Sequence, residues 1–304
     1  MTERNGDDRR RRLERARTSL EGLSLGDAFG ERFFIPHSLA EDWIARRRLP
    51  GPPWRYTDDT AMALCIVEVL ERRGEIDQDD LALTFARGYA EDPARGYGAG
   101  AHGILQQIGR GRPWQAESRA AFGGLGSFGN GGAMRVAPVG AYFCDDFEAA
   151  ARNARLSAEV THFHPEGQAG AVAIAVAAAW ACCSRERPEP GTGRELFEVV
   201  LEHTPDSDTR EGIARARTLS HESGVGVAVR LLGNGSQISA PDTVPFALWC
   251  AARHTDDFCE ALWSTVSGLG DRDTTCAMVG GIVASAVGRE ALPSAWLAAR
   301  EALP

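Results

Sequence analysis

Two short acidic clusters, Thr57-Asp58-Asp59-Thr60 and Asp271-Arg272-Asp273-Thr274, lie towards opposite ends of the chain, each where an apolar helical run begins. A single Thr or Asp in such a place is commonly an N-cap, its side chain accepting a hydrogen bond from a free backbone N–H. A cap needs one side chain, and four carboxylates with their neighbouring hydroxyls exceed that need. The apolar runs that follow, residues 61–70 and 276–287, imply that both helix starts point inward. Adjacent buried carboxylates repel one another unless a cation neutralises them, so a shared divalent-metal site is the economical explanation. Hard oxygen donors of this kind suit Mg²⁺ or Mn²⁺. Zinc is disfavoured, because no His or Cys pair stands at ligand spacing beside either cluster.

A second candidate is the segment 123–135, which carries six Gly among residues 123–132 and runs on into Ala133-Met134-Arg135. Successive N–H groups exposed at a helix start bind phosphate through backbone donors and the helix dipole. The alternative is a flexible turn, since the segment lacks the Lys-Ser/Thr ending of a Walker A loop. Phe128, Asn130 and Met134, set among the glycines, favour a binding role. Thr161-His162-Phe163-His164-Pro165 precedes an Ala-rich helix, where a His can donate to a sugar or phosphate or stack on a base. A His satisfied within the protein is the competing explanation.

These groups need elements that hold them, and the periodicity is helical nearly throughout, with few alternating or β-branched runs. An all-α protein is expected, arranged as one domain over residues 1–304, with helices near 11–29, 38–47, 58–73, 79–91, 99–109, 145–159, 165–183, 194–202, 206–219, 242–253, 255–267, 274–288 and 291–302. Start signals are read at Asp77, Asp145, Pro165, Asp242 and Thr255. Residues 1–12 are expected as a disordered tail and 184–193 as a surface loop. The chain has 304 residues, 43% hydrophobic and 25% charged, enough for a sizeable core. A net charge of −9 and a pI near 5.4 argue against nucleic-acid and anionic-membrane partners, and the absence of Lys carries no mechanistic weight. The charged N-terminus has no apolar stretch behind it and does not read as a signal peptide. Residues 168–183, about 16 and mostly Ala, fall short of the roughly 20 that span a bilayer, so a buried central helix is expected. Seven Cys without CxxC spacing read as reduced thiols, and a cytoplasmic monomer is expected.

Taken together, Gly22 and Gly26-Asp27-Ala28-Phe29-Gly30, Tyr56-Thr57-Asp58-Asp59-Thr60, the run from Gly126 to Arg135, Thr161-His162, and Gly270 to Met278 resemble, in order, the motifs of the ADP-ribosylglycohydrolase family. The resemblance spans residues 19–288. It implies an orthogonal helical bundle with two Mg²⁺ or Mn²⁺ ions in a central cleft, and cleavage of the bond between ribose C1″ of ADP-ribose and its acceptor. Carried over by position, Thr57, Asp58, Asp59, Asp271, Asp273 and Thr274 would hold the metal pair, with Asp273 as bridge. Gly126, Ser127, Phe128, Gly129, Asn130, Gly131, Gly132 and Met134 would receive the diphosphate and ribose, with His162 beside the ADP-ribose. Asp59 or Asp271 would orient a water, while carboxylates stabilise positive charge developing at C1″.

Two positions depart from the family pattern. Phe34 stands where many members carry a Glu, which removes a metal-linked carboxylate, and Arg272 stands where they carry Thr between the two Asp residues. Phe34 is expected to pack against substrate or the cleft wall, and Arg272 to pair with a neighbouring Asp or meet a substrate phosphate. ADP-ribosylated protein or a small ADP-ribosyl conjugate is the implied substrate. Another N- or O-ribosyl compound, or a non-catalytic, crystallin-like role, remains as the alternative.

Overall fold

A computed structural model of the protein describes residues 2–189, 191–220 and 222–304. Met1 and Pro190, within the expected tail and surface loop, lie outside the described residues. The first half holds helices α1 (Thr2–Glu31), α2 (His37–Ala45), α3 (Asp58–Arg73), α4 (Gln78–Glu91), α5 (Ala99–Gly109), α6 (Trp114–Gly124), α7 (Gly131–Met134), α8 (Ala137–Tyr142) and α9 (Phe147–Glu159). The second half holds α10 (Pro165–Arg185), α11 (Gly193–His203), α12 (Asp208–Thr218), α13 (Val225–Leu232), α14 (Ala240–Arg253), α15 (Phe258–Val266), α16 (Arg272–Val287) and, after a 3₁₀ turn at Arg289–Ala291, α17 (Ser294–Ala299). Among the described residues there is no strand, only isolated bridges joining Trp54 to Arg300 and Gly129 to Ser239. The fold is all-α, as expected.

The contact that organises the site is the crossing of α1 and α16, which form the most extensive helix pair. Gly22, Gly26 and Gly30 recur every fourth residue and so share one face of α1. A Cβ at these positions would lie 2.4 Å from Gly280 O, 2.0 Å from Cys276 O and 2.2 Å from Arg272 O. The two backbones therefore touch, and only glycine allows it. This crossing sets Asp27, one residue beyond Gly26, beside the N-terminus of α16. Aromatic packing reinforces the arrangement: the Phe29 ring lies 4.7 Å from Trp296 and 5.0 Å from Trp263, centroid to centroid.

Helix α10 runs through the core and packs against α7, α8, α9, α11, α14 and α16. Its apolar stretch is long enough to cross a membrane by length and composition, yet 89% of that window is buried against the rest of the protein. Alanine lets its neighbours approach closely: a Cβ at Gly140 of α8 would stand 1.8 Å from Ala175 O.

Several boundaries differ from the sequence-based expectation. Helix α1 starts at Thr2, through the charged segment expected as a tail. Arg9 there donates to the carbonyls of Glu71 and Arg72, where the last turn of α3 welcomes a cation. Asp146, rather than Asp145, caps α9. Asp257, rather than Thr255, caps α15, and α14 begins at Ala240, ahead of Asp242. Helices α6, α7, α8 and α13 are additional to those expected. The C-terminal segment is short α17 followed by extended residues that pair with Trp54 (Trp54 N to Ala299 O 2.7 Å, Glu301 N to Trp54 O 2.9 Å).

Candidate metal centre and glycine loop

The two acidic clusters meet. Thr57 is the N-cap of α3, its hydroxyl accepting from Asp59 N. Asp271 stands at the N-cap position of α16 but makes no capping bond with its side chain. It accepts instead from Asn130 Nδ2 at 2.7 Å, a contact between the glycine loop and the second cluster. The capping explanation thus accounts for Thr57 and leaves the aspartates free for other work.

At the centre is Asp27, a residue quoted in the family motif but not expected in the site. Its buried carboxylate accepts from Thr57 N (2.9 Å), Thr57 Oγ1 (2.9 Å), Thr60 N (3.1 Å) and Thr60 Oγ1. It thereby fixes the first turn of α3. Carboxylate oxygens of Asp27, Asp59 and Asp273 lie within 4.8 Å of one another, close enough to share one cation. Thr57 Oγ1 is also 3.1 Å from Asp59 Oδ2, so one hydroxyl proton serves two carboxylates. Thr274 Oγ1 adds a long contact to Asp59 Oδ2 at 3.5 Å. Among the described residues, the buried Asp59 Oδ1 finds no hydrogen-bond partner. An unpartnered, buried carboxylate oxygen inside an anionic trio is costly unless a cation meets it, and the donor set fits a hard divalent ion.

The electrostatics agree. Burial raises Asp27 to about 6, against the lowering effect of the Thr60 and Thr57 hydrogen bonds. Asp58 is pushed up to about 7 by burial and then by the Asp27 charge. Asp59 and Asp273 stand well above the usual carboxylate range, first through burial, then through Asp27 for Asp59 and Asp271 for Asp273. Burial also raises Asp271, with hydrogen bonds from Asp273, Asn130 and Thr274 opposing it. Neither Asp58 nor Asp271 belongs to the close trio. Asp58 faces Gly96, and its N–H donates to Arg95 O at 2.8 Å.

Two Arg residues support the cluster. Arg135, fully buried, donates to Ser157 O (3.0 Å) and Thr161 Oγ1 (2.9 Å) and lies over the Phe85 ring. Burial lowers it to about 10, and the Asp58 charge opposes that fall. Arg95 packs on the Tyr56 ring, donates to Tyr56 O and pairs with Glu301, tying the C-terminal segment to the first acidic loop.

The glycine loop passes over His162. A Cβ on Gly131 would lie 2.9 Å from His162 Cε1 and would push the ring aside, while one on Gly129 would lie 3.3 Å from His162 Nε2 and crowd it, so glycine lets the loop sit low over the imidazole. His162 Nδ1 pairs with Thr161 Oγ1 at 2.8 Å, and burial pushes the imidazole down to about 3, leaving it neutral. Its place beneath the loop fits the supporting role better than that of a free donor. Ser127 Oγ accepts from Gly129 N, and Phe128 O accepts from Ala240 N, pinning the loop to α14. Gly126 has φ +75° and lies against His164 N. Gly132 and Met134 are buried in α7, a single turn that extends no further. Phe128 is 45% exposed and faces Phe122, which is 57% exposed, at 6.3 Å between centroids.

The two departures from the family pattern touch each other. The Arg272 guanidinium lies 5.0 Å over the Phe34 ring and donates to Leu269 O (3.1 and 3.0 Å) and Phe33 O. Of the two expected partners, the neighbouring Asp is not met among the described residues; three of the five guanidinium N–H groups donate instead to carbonyls just after α1 and before α16.

The ADP-ribosylglycohydrolase family pattern matches residues 8–302. The chain is 31% identical to "ADP-ribosylhydrolase ARH3" of Homo sapiens over 94% of this chain and 89% of that protein. It is 25% identical to the ADP-ribosyl-(dinitrogen reductase) glycohydrolase of Rhodospirillum rubrum over 93% and 89%. A solved "ADP-ribosylglycohydrolase-related protein complex" superposes with a TM-score of 0.65 at 24% identity, covering 96% of this chain and 94% of that one, a likeness of fold.

Proposed function

The chain belongs to the ADP-ribosylglycohydrolase family, and from that membership we propose a divalent-cation-dependent hydrolase that cleaves the ribose C1″ bond of ADP-ribosylated protein or of a small ADP-ribosyl conjugate. The observation that carries the cation dependence is Asp59 Oδ1, buried and unpartnered within the Asp27, Asp59 and Asp273 trio. Thr57, Asp58, Asp59, Asp271, Asp273 and Thr274 would hold two Mg²⁺ or Mn²⁺ ions, with Asp273 shared, and Asp27 would join Asp59 and Asp273 beside one of them as well as fixing the first turn of α3. When bound, such ions supply Lewis acidity and a template for ribose hydroxyls and water.

The remaining work falls to this chain's own groups. Asp59 and Asp271 accept hydrogen bonds from the attacking water, and Asn130 keeps Asp271 turned towards the loop. The carboxylates face the positive charge that grows at C1″ as the bond to the acceptor lengthens. The 126–132 loop receives the diphosphate, and the exposed Phe128 and Phe122 rings offer a stacking face for adenine. His162, neutral and buried, holds the loop at its working height.

The test is release of free ADP-ribose from a panel of Arg-linked, Ser-linked and small-molecule ADP-ribosyl conjugates. Release by the wild type, with a loss of at least 100-fold in Asp59→Asn, is expected. Tight ADP-ribose binding without release from any member of the panel would make the chain a binding protein instead.

A further inference from the structure

Away from the acidic trio, a sulfur and a carboxylate donor set converges where the end of α8 meets the end of α10. Donor atoms of Cys144, Cys182 and Glu186 all lie within 4.8 Å of one another. Cys182 and Glu186 are four residues apart at the end of α10, so they stack on one face. Cys144 precedes Asp145, whose Oδ1 is 3.8 Å from Cys144 Sγ. We propose that Cys144, Cys182 and Glu186, with Asp145 as fourth donor, form a second cation site that takes a thiophilic divalent ion such as Zn²⁺.

The geometry suits that ion. With Zn–S near 2.3 Å and Zn–O near 2.0–2.2 Å, the edges of a tetrahedral site are roughly 3.3–3.8 Å, so the Cys144, Cys182 and Glu186 donors, already within 4.8 Å of one another, need only draw together, with Asp145 approaching from beside Cys144. The thiols are buried at 2% and 1% exposure, whereas the Asp145 and Glu186 side chains are 48% and 47% exposed. The site is thus closed below by sulfur and open above through carboxylates. Arg15 links the two carboxylates, donating to Asp145 Oδ2 at 2.7 Å and to Glu186 Oε1 and Oε2 at 3.1 and 3.3 Å. It leaves Asp145 Oδ1, the oxygen nearest Cys144, without an Arg contact, and each Glu186 oxygen keeps a second lone pair. Arg15 and Asp27 share α1 at a separation of 12 residues, or roughly 18 Å along the axis, so this is not the acidic site seen from another side. Thiolates select Zn²⁺ strongly over Mg²⁺, whereas carboxylate oxygens discriminate far less between the two. A bound ion would join the α8–α9 turn to the end of α10 without a disulfide.

The test uses the full chain, stripped of metal and reduced with a phosphine, titrated with Co²⁺. Oxygen ligands alone give no thiolate-to-cobalt charge-transfer absorption, so that near-ultraviolet band reads this site and not the acidic one. The band should saturate at one equivalent per chain in wild type, in Asp59→Asn and in Cys183→Ser, and should fall at least tenfold in Cys144→Ser and in Cys182→Ser. No band in wild type, a band that survives both Cys144→Ser and Cys182→Ser, or a band lost in Asp59→Asn overturns the proposal. A measurement on wild type alone guards against misfolded variants: Zn²⁺ should slow alkylation of Cys144 and Cys182 at least tenfold by peptide mass spectrometry. Equal labelling with and without Zn²⁺ also overturns it.

Discussion

Replacing Asp59 by Asn should stabilise the metal-free protein and destabilise the metal-loaded one relative to wild type, a change of sign that no packing role produces. Asp59 Oδ1 is buried without a partner, and burial, then Asp27 and Asp273, oppose its charge. Asn keeps the shape and removes the charge. The gain is bounded at pH 7 by the cost of protonating an Asp whose ordinary value is 3.8, about 4 kcal/mol, with about 1 kcal/mol as a lower figure if water relieves part of the strain. For a chain of 304 residues, each kcal/mol moves Tm by roughly 1.5–2 °C. In chelator, Asp59→Asn should therefore melt roughly 2–7 °C above wild type. Mg²⁺ at 100 times its dissociation constant adds about 2.7 kcal/mol to wild type, roughly 4–5 °C, and should add little to the variant. Calorimetric melting of both proteins in chelator and in Mg²⁺ measures all four values. If Asp59→Asn melts below wild type in chelator and gains as much from Mg²⁺, the carboxylate is structural and the cation reasoning is wrong.

Gly26→Ala should lower stability by about 1–3 kcal/mol or more and weaken Mg²⁺ binding at the same time, because its methyl would meet Cys276 O at 2.0 Å and part Asp27 from Asp273. The control Gly103→Ala, with nothing within 4 Å, should gain about 0.5–1 kcal/mol, and equal effects at the two sites would refute the crossing account. Asp27 and Asp58, raised to about 6 and 7, keep protons in the folded state that the unfolded chain has lost. Stability of the metal-free protein should therefore fall as pH rises from about 4 to about 7, while the Mg²⁺-induced rise in Tm grows; a flat profile in chelator contradicts this. Asn130→Ala, which removes the 2.7 Å bond to Asp271, should reduce turnover at least tenfold with an unchanged circular dichroism spectrum, and unaltered turnover would remove Asn130 from the site. Phe34→Glu alone should be captured by Arg272, whereas Phe34→Glu with Arg272→Thr should tighten cation binding; identical titrations for wild type and the double variant would place residue 34 outside the cluster.

The acidic clusters were legible because paired Asp and Thr at inward helix starts exceed what capping requires. Asp27 was not: one carboxylate in an apolar helix carries no spacing signal, and its importance depends on which helix Gly22, Gly26 and Gly30 face. That partner lies at the other end of the chain. Helix α3 was visible from its apolar period, and α10 and α16 from long apolar runs buried on every face. Helices α6, α7 and α8 escaped because Pro113, Pro138 and the glycines break the period within one or two turns. His162 stands before a helix start, where either a donor or an internally satisfied ring could be read, and only the fold shows that it lies buried under Gly129 and Gly131 and pairs with Thr161 Oγ1. Cys144 and Cys182 show no ligand spacing because the fold, not the sequence interval, brings them together.

The central claim is that a divalent cation in the acidic cluster drives hydrolysis of an ADP-ribosyl bond. It is tested most directly by following free ADP-ribose in one reaction with an ADP-ribosylated substrate, started with Mg²⁺, then treated with excess chelator, then resupplied with Mg²⁺. Release that begins, stops and resumes, and that Asp59→Asn does not support at any stage, is the predicted result. Release that continues unchanged through chelation, or no release with Mg²⁺ from any ADP-ribosyl substrate, would contradict the account.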